Sequence, residues 1–353
     1  MIKIGNKYIG EGQPTFITFE AGPTHDGLES AKELVYLAAE AGADAVKFQI
    51  FNVDSLVKDK EIPFSYSILL NKRTGETKEV SEPLYNILKR RCMNNNDWLA
   101  LKAYADSLNI AFFATVTDED DIALVQEMGC QSIKIASADV NHFPLLRQAA
   151  RTGLSIQLDT GSASFGEIEK AIEVIQFEGN NKIIIHNCPT GYPARLESIN
   201  LKMIPSLKNL FNCPIAYSDH TAGYDMDIAA VALGANLLEK TITKDRTTSS
   251  VEHIMSLEPN EMKNFIQVIR DIETAMGQTL RKLSKHEKEK RLVGRRSVVL
   301  AESVKSGQTL GSVKVKFQRP GFGIAPDYYE ALLESVFNKD LPAEHLLSSH
   351  DLS

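Results

Sequence analysis

The feature that most constrains this chain is a repeated alternation of short apolar segments and amphipathic segments between residues 16 and 276. The apolar segments have the length and composition of buried strands, and the amphipathic ones have helical spacing. Eight such units within about 260 residues predict an α/β fold, a (β/α)8 or TIM barrel. A doubly wound open sheet is the alternative, but the Gly-rich phosphate fingerprint expected after its first strand is absent. The predicted strands are residues 16–19, 44–48, 110–114, 131–135, 154–158, 182–186, 214–217 and 235–239.

The rest of the chain predicts a linker and a small second domain. Residues 281–296 are highly charged, which is typical of a solvated linker. Residues 297–353 contain short apolar alternations and predict a small β-rich domain. A domain of under about 60 residues buries little surface alone, so we expect it to dock on another surface, such as a second subunit. The predicted barrel domain is then 1–280, and within it the connection 50–81 shows no clear period and is expected to be a lid or a flexible loop.

Composition and charge exclude several classes of partner. The net charge of −7 argues against binding to nucleic acid, whose phosphates are bound by basic surfaces. No apolar run reaches the length of about 18 residues that a membrane-spanning helix requires. The start of the chain lacks the apolar core of a signal peptide, and the four cysteines show no CxxC spacing. We therefore expect a cytoplasmic protein with free thiols and a small-molecule substrate.

Two lysines stand at the ends of predicted strands. Lys47 and Lys134 each follow apolar strand residues, where a lysine is rarely buried without a partner. Because active sites of such barrels lie at the carboxyl ends of the strands, the lysines indicate a site for phosphate and carboxylate groups. A purely structural pairing of Lys47 with Glu20 or Asp139 is the alternative.

Acidic residues and a histidine stand at the same strand ends. Glu20 and Asp139 are candidate acid–base groups. His220, which follows Asp219 at the end of the seventh strand, suits a divalent metal that polarises a carbonyl group. Hydroxyl, carboxylate, lysine or histidine side chains follow nearly every strand, which a barrel built only for stability would not require.

An ordered series of motifs resembles the N-acetylneuraminate (sialic acid) synthase family, which includes legionaminic and pseudaminic acid synthases. The resemblance covers essentially the whole chain, and the tail is similar to the family's antifreeze-like (SAF) β-clip domain, with its Arg-Pro-Gly signature at Arg319-Pro320-Gly321. The barrel motifs are Glu20-Ala21-Gly22 with His25-Asp26-Gly27, residues 42–49, Lys134-Ile135-Ala136-Ser137, Tyr192-Pro193, Tyr217-Ser218-Asp219-His220 and residues 232–235.

The resemblance implies condensation of phosphoenolpyruvate (PEP) with the open-chain aldehyde of an N-acylated amino sugar, such as N-acetylmannosamine or a 2,4-diacetamido-trideoxyhexose, with release of phosphate. It implies a divalent metal, Mn²⁺ or Mg²⁺, and a domain-swapped homodimer in which Arg319 reaches the sugar of the other subunit. The implied roles are catalysis for Glu20, Asp139 and His220, PEP binding for Lys47, Thr115, Lys134, Ser137 and Ser218, and sugar binding for Gln49, Tyr192, Glu252 and Arg319.

Three positions depart from the family pattern. Thr241 stands where the resemblance would place a second metal histidine beside His220, which leaves His253 or Asp219 as the candidate second ligand. Asp159 replaces a serine that meets PEP, and a carboxylate there repels an anion unless it is paired or protonated. Glu252 stands in place of an aspartate. These departures keep two alternatives open: another PEP-dependent keto sugar acid synthase, or a sugar-binding homologue with an impaired metal site.

Overall fold

Eight parallel strands close into a barrel in the computed structural model, which describes residues 1–353. Neighbouring strands follow chain order, and the last one pairs with the first to close the barrel. The predicted (β/α)8 fold is therefore confirmed. The barrel strands are β3 (Phe16–Glu20), β4 (Ala45–Gln49), β7 (Ala111–Thr115), β8 (Ser132–Ile135), β9 (Ser155–Asp159), β10 (Ile183–Asn187), β11 (Ile215–Asp219) and β12 (Leu237–Thr241).

Helices surround the barrel and bury their apolar faces against the outer surface of the strands. Local sequence signals set several of their ends: Asp118 and Ser164 form capping boxes, and Gly42 ends the first helix in a left-handed conformation. The helices of this unit are α1 (Leu28–Ala41), α2 (Val53–Leu56), α3 (Leu84–Lys89), α4 (Asn95–Ser107), α5 (Glu119–Glu127), α6 (Phe143–Arg151), α7 (Phe165–Phe177), α8 (Leu196–Ile199), α9 (Met203–Phe211), α10 (Asp225–Ala232) and α11 (Pro259–Met276).

The barrel interior changes from apolar to charged along its axis. At the amino-terminal end, an antiparallel hairpin of β1 (Ile2–Ile4) and β2 (Lys7–Ile9) packs on the first inward residues of the strands, such as Phe16 and Leu237. Alternate residues of a strand point to the same face, so the inward positions further along β12 are Glu239 and Thr241. The apolar layer fills the amino-terminal end, and the polar strand ends meet at the opposite end.

The connection between β4 and β7 holds an antiparallel hairpin that the sequence did not predict. Its strands are β5 (Pro63–Asn71) and β6 (Glu76–Pro83). Tyr66 and Ile68 of this hairpin pack with Val251 in a small apolar cluster, so the hairpin covers the segment that follows β12. Lys72 beyond the end of β5 pairs with Asp245 at 2.9 Å and also with Glu258.

The chain divides into two units, Met1–Gly277 and Gln278–Ser353. Near its start the second unit contains helix α12 (Lys285–Gly294), which has no buried residue. This helix lies within residues 281–296, so the segment that was expected to be a linker is partly helical. Its strands β13 (Ser297–Leu300) and β14 (Val315–Gln318) pair antiparallel, and short bridges complete an apolar core around Val298, Leu310 and Phe337. None of the helices is both long and apolar enough to span a bilayer.

Candidate active site

A cavity of about 260 Å³ opens at the carboxyl ends of the barrel strands. Its position is the one at which barrels of this type place their active sites. The residues that line it are mostly polar and come from six of the eight strands and from loops at the carboxyl ends, including the loops after β8 and β10: Glu20, Lys47, Gln49, Phe51, Leu56, Leu88, Thr115, Thr117, Ala136, Ser137, Ala138, Asp139, Asp159, Cys188, Tyr192, Asp219, His220, Glu239, Thr241 and Glu252.

A chain of alternating charges crosses the floor of this cavity. Lys47 Nζ lies 2.7 Å from Glu20 Oε2 and 2.8 Å from Glu239 Oε1. Lys134 Nζ lies 2.8 Å from Glu239 Oε2 and 2.9 Å from Asp159 Oδ1. Glu239 therefore bridges the two lysines, and the five ionised groups carry a net charge of −1. Because each charge has an oppositely charged neighbour at hydrogen-bond distance, the cluster tolerates its burial.

The pKa values of the buried groups follow from these pairings. Burial opposes the charge on Lys134, but Asp159 and Glu239 outweigh it and raise the pKa of this lysine. Burial likewise opposes ionisation of Glu239, but Lys134 and Lys47 hold its pKa well below the usual range. Lys134 and the bridging Glu239 are therefore both charged near neutral pH.

His186 supports Lys134 from below the cavity. Its Nδ1 lies 3.0 Å from Lys134 Nζ, and its Nε2 lies 2.9 Å from Gln157 Oε1. Since an ammonium group only donates and an amide oxygen only accepts, Nε2 carries the proton and Nδ1 accepts from the lysine. Burial, with a further contribution from Lys134, lowers the pKa of His186 to about 3, so the ring is neutral. The sequence placed His186 at a strand end but assigned it no role.

Asp159, which replaces the expected serine, is paired. It accepts a hydrogen bond from Ser218 Oγ at 3.0 Å in addition to its contact with Lys134. The repulsion that a free carboxylate would exert on an anion is thus partly compensated by Lys134. Lys134 and Ser218 are fully buried and do not line the cavity, so any influence they have on a ligand there comes from beneath its floor.

Two glycines allow close approaches in this site. Gly22 donates its backbone N–H to Glu20 Oε1 at 2.9 Å, and a Cβ at Gly22 would lie 2.5 Å from that oxygen. Gly161 donates its N–H to Ser137 Oγ at 2.9 Å, and a Cβ there would lie 2.7 Å from the hydroxyl. Any larger residue would displace Glu20 or Ser137.

His220 presents one ring nitrogen as a possible ligand. Its Nδ1 lies 2.9 Å from the carbonyl oxygen of Pro189, so Nδ1 carries the proton and Nε2 keeps its lone pair. Burial lowers the pKa of His220, which favours the neutral ring that a metal requires. The ring packs on Tyr192, with the two ring centroids 4.7 Å apart.

Thr241 donates to a carboxylate of the same cavity. Its Oγ1 lies 3.2 Å from Glu252 Oε2, and burial raises the pKa of Glu252 to about 7. Glu252 has a φ of 71°, a left-handed conformation that is uncommon for a residue other than glycine. The carboxylate therefore enters the cavity from the loop after β12 and stands beside the threonine that replaces the expected histidine.

Neither of the two candidates for a second metal ligand completes a metal site in the cavity. His253 lies outside the cavity lining, and its Nδ1 contacts Thr243 Oγ1 at 2.7 Å. Asp219 pairs with Lys240 and accepts hydrogen bonds from Thr221. No group of three or more His, Cys, Asp or Glu side chains is arranged to hold a metal ion. The donors that fit a divalent ion are therefore the His220 imidazole and the Glu252 carboxylate, and they form an incomplete set.

The structure brings most of the residues predicted for the site together, and the cavity adds others to which the prediction gave no role, among them Glu239. Arg319 belongs to the second unit, where it is exposed directly after β14. The predicted residues that line the cavity are Glu20, Lys47, Gln49, Thr115, Ser137, Asp139, Tyr192, Asp219, His220 and Glu252.

Comparison with known proteins agrees with the resemblance seen in the sequence. Residues 34–281 match the model of the NeuB family. The chain is 35% identical to an N,N'-diacetyllegionaminic acid synthase of Legionella pneumophila over 96% of this chain and 95% of that protein. It is 31% identical to a pseudaminic acid synthase of Campylobacter jejuni over 99% of both chains. The crystal structure of an N-acetylneuraminic acid synthetase from Leptospira borgpetersenii superposes with a TM-score of 0.71 at 32% identity, covering 82% of this chain and 94% of that one. The chain belongs to the NeuB family.

Proposed function

We propose that this protein condenses PEP with the open-chain aldehyde of an N-acylated amino sugar and releases phosphate, giving a nonulosonic acid. Membership of the NeuB family makes the chain a PEP-dependent enzyme that forms a carbon–carbon bond. The observation that carries the proposal is the floor of the cavity, where Lys47 and Lys134 flank Glu239 at 2.8 Å each. Two fixed ammonium groups suit a substrate that carries both a phosphate and a carboxylate.

The two lysines take different roles in this proposal. Lys134 has three donor hydrogens and four acceptors within reach, Glu239, Asp159, His186 and Ser218, so its hydrogens are all engaged and it acts on PEP through its charge. Lys47 lines the cavity and makes only a long third contact, 3.4 Å to Thr115 Oγ1. Its third hydrogen is therefore directed to the substrate, and Lys47 is the lysine that touches PEP.

Hydroxyl groups complete the proposed PEP site. Ser137 Oγ accepts the Gly161 N–H, which leaves its own hydrogen for a phosphate or carboxylate oxygen. Thr115 lines the cavity with its Oγ1 3.4 Å from Lys47 Nζ, and it adds a second hydroxyl donor. Ser218 holds Asp159 in place from below, so its part in PEP binding is indirect.

Glu20 and Asp139 are the proposed acid–base groups. Glu20 is held by Gly22 N–H, by Gln49 Nε2 at 3.2 Å and by Lys47, a set of contacts that fixes its position. Burial raises the pKa of Asp139, which favours a protonated group that can deliver a proton. In the overall reaction the C3 carbon of PEP bonds to the aldehyde carbon, the aldehyde oxygen takes a proton, and water and the enol phosphate yield the 2-keto group and phosphate.

The sugar and metal side of the site is assigned to the opposite wall. Gln49, Tyr192 and Glu252 are proposed to contact the sugar. A divalent ion, when bound, would polarise the aldehyde oxygen, and His220 with Glu252 would hold it. The second unit is proposed to be an SAF-like domain that supplies the partner's Arg319 to the sugar in a domain-swapped homodimer.

The test is phosphate release from PEP in the presence of Mn²⁺ and a panel of 2-acetamido sugars, followed by the mass of the keto acid formed. Lys47→Met should lower turnover about 100-fold or more, since it removes a donor aimed at the substrate anion. Lys32→Met is the matched control, because Lys32 forms a surface pair with Glu29. No turnover with any amino sugar would defeat the proposal, and turnover with simple aldose phosphates alone would favour another keto sugar acid synthase.

A further inference from the structure

The loop that carries Glu252 is held from outside the cavity. Glu252 is the only residue beyond Thr241 that lines the cavity, and it stands in a left-handed conformation with a φ of 71°. A residue other than glycine keeps such a conformation only where its surroundings impose it. The two residues before it, Ser250 and Val251, are buried, so their contacts set the path of the chain into Glu252.

Both of these residues contact the segment between β4 and α4. Arg91, two residues after α3, donates from Nη2 to Ser250 Oγ at 2.8 Å. Val251 packs with Tyr66 of the β5–β6 hairpin in a small apolar cluster. The hydrogen bond fixes the direction of Ser250 and the apolar contact fixes the depth of Val251, so the chain reaches Glu252 from two anchored positions.

Arg91 is a buried cation whose hydrogen-bond partners are uncharged. It is 7% exposed, and it donates to the backbone oxygen of His25 as well as to Ser250. Burial lowers its pKa to about 10, so the guanidinium is still charged at neutral pH, and the nearby Asp26 and Glu252 favour this charged form. A buried charge that served the fold alone would need a carboxylate bonded to it, since burial of an unpaired charge is costly. Its placement therefore favours a role in the site.

The contact with His25 makes Arg91 a bridge between two loops at the carboxyl end of the barrel. His25 lies in the loop after β3 and is fully buried. Its ring packs against Phe48 and Trp98, with ring centroids 5.5 and 6.1 Å away. Arg91 therefore attaches Ser250, and with it the loop after β12, to a well-packed part of the barrel.

We propose that Arg91 is a positioning residue, which acts through Ser250 to hold the Glu252 carboxylate in the cavity. This inference rests on the proposed function, in which Glu252 contacts the acceptor sugar and a divalent ion. Arg91 does not line the cavity, so it touches neither substrate. The PEP site depends on the separate ion pairs of Lys47, so loss of Arg91 should weaken the use of the acceptor and leave that of PEP unchanged.

The kinetic test compares Arg91→Met with Arg151→Met, a matched control because the Arg151 side chain is 64% exposed and pairs with Glu178 on the surface. Loss of the charge-assisted hydrogen bond should raise the KM for the acceptor sugar about tenfold, whereas the KM for PEP should stay within about twofold of wild type. Ser250→Ala should raise the sugar KM about threefold, and Ser250→Thr, which keeps the hydroxyl, should restore it. An unchanged sugar KM in Arg91→Met, or an equal rise in both constants, would overturn the inference.

Hydrogen exchange separates this inference from the proposed function, because it needs no turnover. The amides of Met255 and Ser256 form hydrogen bonds within the loop after β12, so their exchange reports on the order of that loop. Arg91→Met should speed the exchange of the peptide that contains them about tenfold, Ser250→Ala should act in the same direction with less risk to folding, and Arg151→Met should have no effect. Unchanged exchange would overturn the inference whatever the activity. Absence of turnover in the wild-type protein with every sugar would instead defeat the proposed function, and the exchange would still decide whether Arg91 holds the loop.

Discussion

Glu239→Gln is the substitution that most directly tests how the site is held together. Glu239 is buried, and its two oxygens lie 2.8 Å from Lys47 and from Lys134. Glutamine preserves the shape but removes the charge, so two buried ammonium groups then face each other with less compensation. Removing one partner of a buried ion pair costs about 3–5 kcal/mol of unfolding free energy.

The measurement is urea unfolding followed by tryptophan fluorescence. Trp98 is the single tryptophan, is buried, and lies in the barrel unit, so its emission reports on that unit alone. With a denaturant dependence of about 3 kcal/mol per M, the loss corresponds to a fall of about 1 M or more in the midpoint. Glu29→Gln is the control, because the Glu29 side chain is 84% exposed and pairs only with Lys32. Equal midpoints for the two variants would refute the reasoning.

The pH dependence gives a second readout for Glu239. The lysines hold its folded pKa below the ordinary value of 4.5, so the group stabilises the fold at pH values above 4.5. That contribution is lost as the pH falls below this value towards the folded pKa. The gap between wild type and Glu239→Gln should therefore be full at pH 7 and should shrink in acid. PEP should also raise the midpoint of the variant more than that of wild type, since the ligand replaces the missing negative charge.

Three further predictions concern the sugar and metal wall. Burial raises the pKa of Glu252 from the ordinary value of 4.5 to about 7, so the fold loses stability as the pH rises from about 4.5 to about 7 and loses no more above that value; without added metal, the urea midpoint of Glu252→Gln should rise relative to that of wild type across this range. His220→Ala should weaken Mn²⁺ binding by about tenfold or more in calorimetry, whereas His253→Ala should leave it unchanged, and the reverse order would contradict the ligand assignment. Lys72→Ala should raise the KM for the sugar more than it lowers kcat, because the ion pair of Lys72 with Asp245 connects the β5–β6 hairpin to the loop that carries Glu252. Lys72→Arg keeps the charge and should restore the KM.

The barrel could be predicted because its signal is local and repeated. Each strand is a short apolar run, and the polar residue at its end marks the face where the site forms. The hairpin of β5 and β6 could not be predicted in the same way, since most of its residues are exposed and only Tyr66 and Ile68 are buried. Its apolar alternation is confined to Phe64, Tyr66 and Ile68, and β6 has no buried residue, so the pattern is too short to predict a hairpin.

The partners of the lysines depended on barrel closure. Lys47 and Glu239 are 192 positions apart in the chain, yet β12 pairs with β3, and β3 pairs with β4. When the strands are interpreted one at a time, the lysine and the glutamate are identified separately, and their contact cannot be predicted. His253 is the opposite case, because it is near the site in the sequence but does not line the cavity. Its Nδ1 contacts Thr243 Oγ1 instead.

The pairing changes how anion binding at this site must be understood. In the free protein the charges of Lys47 and Lys134 are already compensated, because both lysines form ion pairs with Glu20, Glu239 or Asp159. These carboxylates hold the ammonium groups at fixed positions, which lowers the cost of ordering them when a ligand arrives. They also make binding an exchange, in which the substrate anion gains a contact with Lys47 while Lys47 remains shared with Glu20 and Glu239. In a site built in this way the substrate anion meets a lysine that is already fixed in position, and Lys134 contributes its charge from beneath the floor of the cavity.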